Sequence, residues 1–209
     1  PVAVTVNSSP TATITAGGAT TICNGGSVSL SASSGSSYLW TPGGQTTQAI
    51  NVSNAGAYTV RVTNASGCSA TSSATNITVS SNPTANITAG GPTSFCAGGN
   101  VSLSASSGAS YLWTPGGQTT QTISATTAGA YSVRVTNAAG CSATSSNTNV
   151  NIITAPNAAI APSGPTNFCT GGSINLTSTG GASYLWTPGG QTTQVINVTS
   201  SGIYSVRVT

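Results

Sequence analysis

Across residues 27–33, Val28, Leu30 and Ala32 alternate with Ser27, Ser29, Ser31 and Ser33. A period of two places successive side chains on opposite faces, so this run predicts a strand with one buried face. The same signal recurs along the first third of the chain. Residues 11–15 form a short opening strand. Tyr38, Leu39 and Trp40 form another, closed by the turn residues Pro42, Gly43 and Gly44. Residues 48–52 follow. Residues 57–63 direct Tyr58, Val60 and Val62 inward and Thr59, Arg61 and Thr63 outward, and residues 74–80 contribute Ile77 and Val79. No segment has helical periodicity. Short alternating strands between regular turns predict an all-β chain of immunoglobulin-like antiparallel sandwiches, with about seven strands per unit.

The pattern is repeated. Cys23, Cys96 and Cys169 are spaced by 73 residues (96 − 23 and 169 − 96). Trp40, Trp113 and Trp186 keep that interval, as do Tyr58, Tyr131 and Tyr204, and Arg61, Arg134 and Arg207. A unit of this length is too long for a solenoid coil and suits a small sandwich. Pro10, Pro83 and Pro156 open three units, giving repeat 1 (10–82), repeat 2 (83–155) and repeat 3 (156–209). Residues 1–9 align with 74–82: Val4 matches Ile77 and Val150, and Val6 matches Val79 and Ile152. They read as an orphan closing strand, and repeat 3 reads as lacking its own. Either the chain is a window on a longer array, or residues 1–9, with Val2, Val4 and Val6, complete the third unit of another copy by strand donation. Both readings imply head-to-tail continuation.

Charge narrows the chemistry. The chain has no Asp, Glu, His, Lys or Met, and its three cationic side chains are Arg61, Arg134 and Arg207. General acid–base catalysis needs a carboxylate, imidazole or amine near its working pKa, and a Ser or Cys nucleophile needs an activating base. No catalytic residues and no enzyme activity are therefore expected. Metal sites built from carboxylates, imidazoles or clustered thiolates are not expected either, and no cofactor is implied. Three widely spaced arginines do not form the basic face of a nucleic-acid binder. No apolar run approaches the ~20 residues of a membrane helix, and residues 1–4 do not have the form of a signal peptide. A mature or excised extracellular segment is expected.

Each full unit carries two cysteines 45 residues apart, Cys23 with Cys68 and Cys96 with Cys141. Repeated pairs in small, core-poor β-units predict one disulfide within each unit, leaving Cys169 unpaired; the alternative is buried free thiols. Disulfides in turn imply an oxidising, extracellular or cell-surface setting.

Three segments carry a resemblance: Cys23-Asn24-Gly25-Gly26-Ser27-Val28-Ser29-Leu30, residues 38–48 beginning Tyr38-Leu39-Trp40-Thr41-Pro42, and residues 56–68 from Gly56 to Cys68. They resemble the immunoglobulin-like and PKD-like repeats of large Bacteroidetes surface proteins, including gliding and adhesion proteins exported by the type IX system. Gly56-x-Tyr58 also resembles the tyrosine corner of such sandwiches, and Trp40 stands where their core Trp stands. The resemblance implies spacer repeats. Relatives often carry acidic residues, which this chain lacks.

The expected function is that of a structural subunit of an extracellular bacterial fibre or adhesin stalk, whose partners are copies of itself and covalent glycans. The alternative is an array of carbohydrate-binding modules. Trp40, Trp113 and Trp186, with the three tyrosines at Tyr58, Tyr131 and Tyr204, are core residues in the first reading; an exposed Tyr-Leu-Trp face would support the second. Arg61, Arg134 and Arg207 are solvated strand residues or contacts for an anion or glycan. Asn-x-Ser/Thr triplets begin at Asn7, Asn51, Asn64, Asn76, Asn86, Asn100, Asn175 and Asn197. A surface so poor in charge has little colloidal repulsion, and attached sugar or burial in a fibre would supply solubility. The composition also predicts a pH response. Apart from the chain termini, nothing titrates between about pH 2 and pH 7, so thermal melts across that range should superimpose. A melting temperature falling steeply with acid would contradict this.

Overall fold

The computed structural model describes residues 1–209, and every regular element in it is a β-strand. Repeat 1 forms β1 (Ile14–Ala16), β2 (Thr21–Cys23), β3 (Val28–Ala32), β4 (Ser37–Thr41), β5 (Ala49–Val52), β6 (Gly56–Thr63), β7 (Ser69–Thr71) and β8 (Thr75–Ser80). Repeat 2 forms β9 (Ile87–Ala89), β10 (Ser94–Cys96), β11 (Val101–Ala105), β12 (Ser110–Thr114), β13 (Thr122–Ala125), β14 (Gly129–Thr136), β15 (Ser142–Thr144) and β16 (Thr148–Ile153). Repeat 3 forms β17 (Ala159–Pro162), β18 (Ile174–Thr179), β19 (Tyr184–Thr187), β20 (Val195–Val198) and β21 (Ser205–Val208). The chain divides into two compact units. One comprises Pro1–Gly91, Val101–Ala125 and Gly129–Val150; the other comprises Pro92–Asn100, Thr126–Ala128 and Asn151–Thr209.

The sandwich is clearest in repeat 1. One sheet has the order β1-β3-β5; the other has the order β2-β8-β6-β4, with β7 also paired to β6. The alternation dictates the core: Val28, Leu30, Ala32, Ile50 and Val52 from the first sheet meet Ile22, Trp40, Tyr58, Val60, Val62 and Ile77 from the second. Trp40 is 1% exposed, and its indole N–H donates to the Thr47 carbonyl at 2.9 Å, which satisfies its one polar atom. The turn beyond Trp40 contains a cis Thr41–Pro42 peptide, then Gly43 and Gly44 at φ +109° and +67°. That left-handed region favours glycine. Repeat 2 reproduces this pattern, with Leu103, Trp113, Val133, Val135 and Val150 at most 1% exposed. In repeat 3 the core is smaller: Ile174, Leu176, Trp186, Ile196 and Val198.

Two strands per repeat were not legible from alternation, β2 with its equivalent β10 and β7 with its equivalent β15. Each has three residues, too few to establish a period. β2 pairs parallel with β8, setting Cys23 opposite Ser80.

β6 exchanges neighbours midway. Gly56–Tyr58 pair with β8 and Arg61–Thr63 with β7, which leaves Val60 at the crossover. Its N–H donates to the buried Ser72 hydroxyl at 3.1 Å, and that hydroxyl donates to the Ser73 carbonyl at 2.9 Å. Ser145 repeats the arrangement, accepting from Val133 N–H at 3.0 Å and donating to Ser146 at 2.9 Å. Ser145→Ala should therefore leave a buried backbone N–H without its partner and destabilise repeat 2 by about 1–3 kcal/mol. Urea unfolding checks this; an unchanged midpoint would show that the hydroxyl is dispensable.

Candidate functional site at the joint between repeats

The pairing predicted within each repeat is not what forms. Cys23 bonds to Cys141, with a Cα–Cα distance of 5.4 Å and a sequence separation of 118. Cys68, Cys96 and Cys169 are free thiols; Cys169 was expected to be unpaired, whereas Cys68 and Cys96 were expected to be bonded. The reason is axial. Cys23 lies at the end of β2, level with Ser80, beyond the start of β6 where Gly56 pairs with Ile77. Cys68 lies past the other end of β6, beside the Thr63–Ser69 pair. The eight residues of β6 rise by roughly 26 Å at ~3.3 Å each, far outside disulfide reach. The bond that forms instead joins the end of repeat 1 to the start of repeat 2.

The joint is built on Asn137. Its Oδ1 accepts the N–H groups of Ala139 at 3.0 Å and Cys141 at 2.9 Å, an Asx turn that holds Cys141 in place. Gly140, at φ +83°, completes the turn. The Asn137 Nδ2 donates to the Ser81 carbonyl at 2.9 Å, tying the linker to the turn. Ser80 connects both sides: its carbonyl accepts Asn24 N–H at 2.9 Å, and Cys141 Sγ lies 3.9 Å from the same oxygen. Cys141 is buried at 1% exposure.

Repeat 1 carries the same turn. Asn64 Oδ1 accepts Ser66 and Cys68 N–H at 3.1 and 3.0 Å, and its Nδ2 donates to the Ser8 carbonyl at 2.9 Å. Cys68 Sγ lies 3.6 Å from the Asn7 carbonyl. Residues 7–8 thus stand against repeat 1 as Ser80 and Ser81 stand against repeat 2. Upstream of them, Val2, Val4 and Val6 are 84–91% exposed and belong to no strand.

Repeat 3 has an open groove of about 820 Å³ lined by Ile160, Phe168, Cys169, Ile174, Leu176 and Tyr204. In repeats 1 and 2 the equivalent space is filled by Ile77 and Val150, at 2% and 1% exposure. Tyr204 is accordingly half-buried, unlike Tyr58 and Tyr131, a departure from its expected core position. The tyrosine-corner bond is present: the Tyr58 hydroxyl donates to the Asn54 carbonyl and that of Tyr204 to Ser200, both at 3.1 Å.

The other candidates separate clearly. Trp113 and Trp186 are fully buried like Trp40. Tyr38 is half-buried, its hydroxyl held by the Gly35 N–H and carbonyl, so the triplet offers no stacking platform. Arg61, Arg134 and Arg207 are exposed, each the register partner of a partly exposed leucine, Leu39, Leu112 and Leu185; Arg134 Nε donates to Ser142 Oγ at 3.0 Å. Of the eight triplet asparagines, seven are exposed, and Asn64 is half-buried with its amide engaged in the turn.

No protein-family model matches the sequence, and no curated protein matches it. Among solved structures, the three N-terminal domains of the bacteriophage RB49 highly immunogenic outer capsid protein align at 18% identity over 90% of this chain and 80% of that one, with a TM-score of 0.40. The fibronectin(III)-like modules of Clostridium thermocellum CbhA align at 10% identity over 68% of this chain and 94% of theirs, TM-score 0.40. Murine CEACAM1b aligns at 14% identity over 68% and 100%, TM-score 0.39.

The joint makes a specific demand on Asn137. Asn137→Ala removes two acceptor contacts and two donor contacts, to Ser81 and Ser80, and should lower the stability of the oxidised protein by about 1–3 kcal/mol. It should also reduce the fraction of Cys23–Cys141 formed in a glutathione buffer. An unchanged fraction in quantitative thiol alkylation would show that the turn does not position Cys141.

Proposed function

We propose that the chain is a structural subunit of an extracellular bacterial fibre or adhesin stalk, built head to tail from copies of itself. The observation that carries this reading is the covalent joint. A disulfide between successive sandwiches restrains their relative motion, which serves a rod under tension and contributes nothing evident to a small-molecule site. The restraint is supported by a short linker and by the Asn137 turn that grips it.

The same bond supports an extracellular setting, since disulfides persist in oxidising compartments. The exposed asparagine triplets and the Ser- and Thr-rich outer faces suit glycosylation, in line with the surface repeats of Bacteroidetes that the sequence resembles. The absence of catalytic bases from the composition supports a non-enzymatic role. The carbohydrate-array alternative draws no support from the tryptophans, which are buried.

Strand donation supplies the assembly step. Residues 1–9 form an unpaired segment whose Val2, Val4 and Val6 are exposed and would share one face of a strand, and the repeat 3 groove is the slot that Ile77 occupies in repeat 1. The two surfaces differ, so the contact is heterologous and propagates into an open filament unless it closes a ring. Purified protein viewed by negative-stain microscopy should form filaments, and deletion of residues 1–9 should leave short or monomeric material. Normal filaments from the deletion variant would overturn strand donation.

A further inference from the structure

The disulfide defines a rule that the free thiols also obey. Cys23 belongs to the series Cys23, Cys96, Cys169, and Cys141 to the series Cys68, Cys141. The bonded pair joins one member of each, the first series contributing from the earlier repeat and the second from the later one. Cys169 is thus a first-series thiol in repeat 3, and Cys68 a second-series thiol in repeat 1; both are free. In the 1–2 joint the end of the closing strand lies beside the disulfide: Ser80 is the register partner of Cys23, and its carbonyl lies 3.9 Å from Cys141 Sγ. Asn7 is the 73-residue equivalent of Ser80, and its carbonyl already lies 3.6 Å from Cys68 Sγ. Half of the joint is therefore assembled within one chain. A strand of residues 1–9 laid into the groove in the β8 register sets Asn7 opposite Cys169, a residue that lines that groove.

We infer that Cys169 of one copy forms a disulfide with Cys68 of the next, so that each head-to-tail contact becomes covalent. The inference rests on the head-to-tail reading above. The reaction is thiol–disulfide exchange with a small-molecule disulfide such as oxidised glutathione. The thiolate of one cysteine attacks the glutathione disulfide, forming a mixed disulfide and releasing one glutathione thiolate. The second cysteine thiolate then attacks the protein sulfur of that bond, and the second glutathione leaves. Two cysteines are oxidised, one glutathione disulfide is reduced to two thiols, and the two cysteine protons end on them.

The test uses the 209-residue chain in a buffer of oxidised and reduced glutathione, with microscopy and non-reducing denaturing electrophoresis on the same sample. The expected result is a ladder of covalent oligomers whose digest contains a peptide pair linking Cys68 to Cys169. Cys169→Ser and, separately, Cys68→Ser should each abolish the ladder while filaments still form, and Cys96→Ser should leave it intact. Filaments without the Cys68–Cys169 peptide overturn the disulfide and leave head-to-tail assembly standing. A ladder carried by Cys96, or neither filaments nor ladder, overturns the disulfide as well, the last outcome taking the head-to-tail reading with it.

Discussion

A β-strand advances about 3.3 Å per residue, and in this chain that rise decides how repeats are joined. β6 runs the length of the sandwich, and the two cysteines of a repeat lie beyond its opposite ends. They cannot meet each other, and Cys23 instead meets Cys141 of the next repeat. The linker after β8 then delivers Ser80 and Ser81 to the Asn137 turn, and Cys23 to Cys141. The disulfide, the Asx turn and the linker hydrogen bonds are consequences of one placement. In the chain-entropy model, a cross-link closing a loop of this size contributes about 4.7 kcal/mol. That is a large sum beside the 5–15 kcal/mol typical of a whole domain.

A second constraint is the near absence of charge. Each sandwich is held by packing around Trp40 or its equivalents and by backbone pairing, with no ion pairs available to adjust it. Local polar demands are met by hydroxyls and amides instead: Ser72 and Ser145 at the strand exchange, Gln48 on the Ala32 carbonyl, and Asn64 and Asn137 at the turns. The only strong electrostatic handles on the outer faces are the exposed arginines, each beside a leucine.

Most of the fold was legible in the sequence because alternation over five or more residues, as in Val28-Ser29-Leu30-Ser31-Ala32, specifies both a strand and its buried face. The three-residue strands β2 and β7 carried no such signal. Missing β2 had a consequence for the joint. With Thr21–Cys23 read as loop, nothing set Cys23 level with Ser80, and the 45-residue spacing of Cys23 and Cys68 looked like a local staple. The repeat interval is equally compatible with pairing across units, since a first-series cysteine and the second-series cysteine of the next unit are also spaced regularly. Placing Cys68 just after β6 and Cys23 just before the chain turns into β3 would have separated them. The half-burial of Tyr204, unlike Tyr58 and Tyr131, was overlooked because the three tyrosines were treated as equivalent.

The central claim is that the disulfide runs between repeats, and thiol mapping of the monomeric fraction tests it most directly. Alkylation of the unreduced, denatured chain, followed by digestion, should label Cys68, Cys96 and Cys169 and yield one linked peptide pair joining Cys23 to Cys141. Labelling of Cys169 alone, with Cys23 linked to Cys68 and Cys96 to Cys141, would contradict the account.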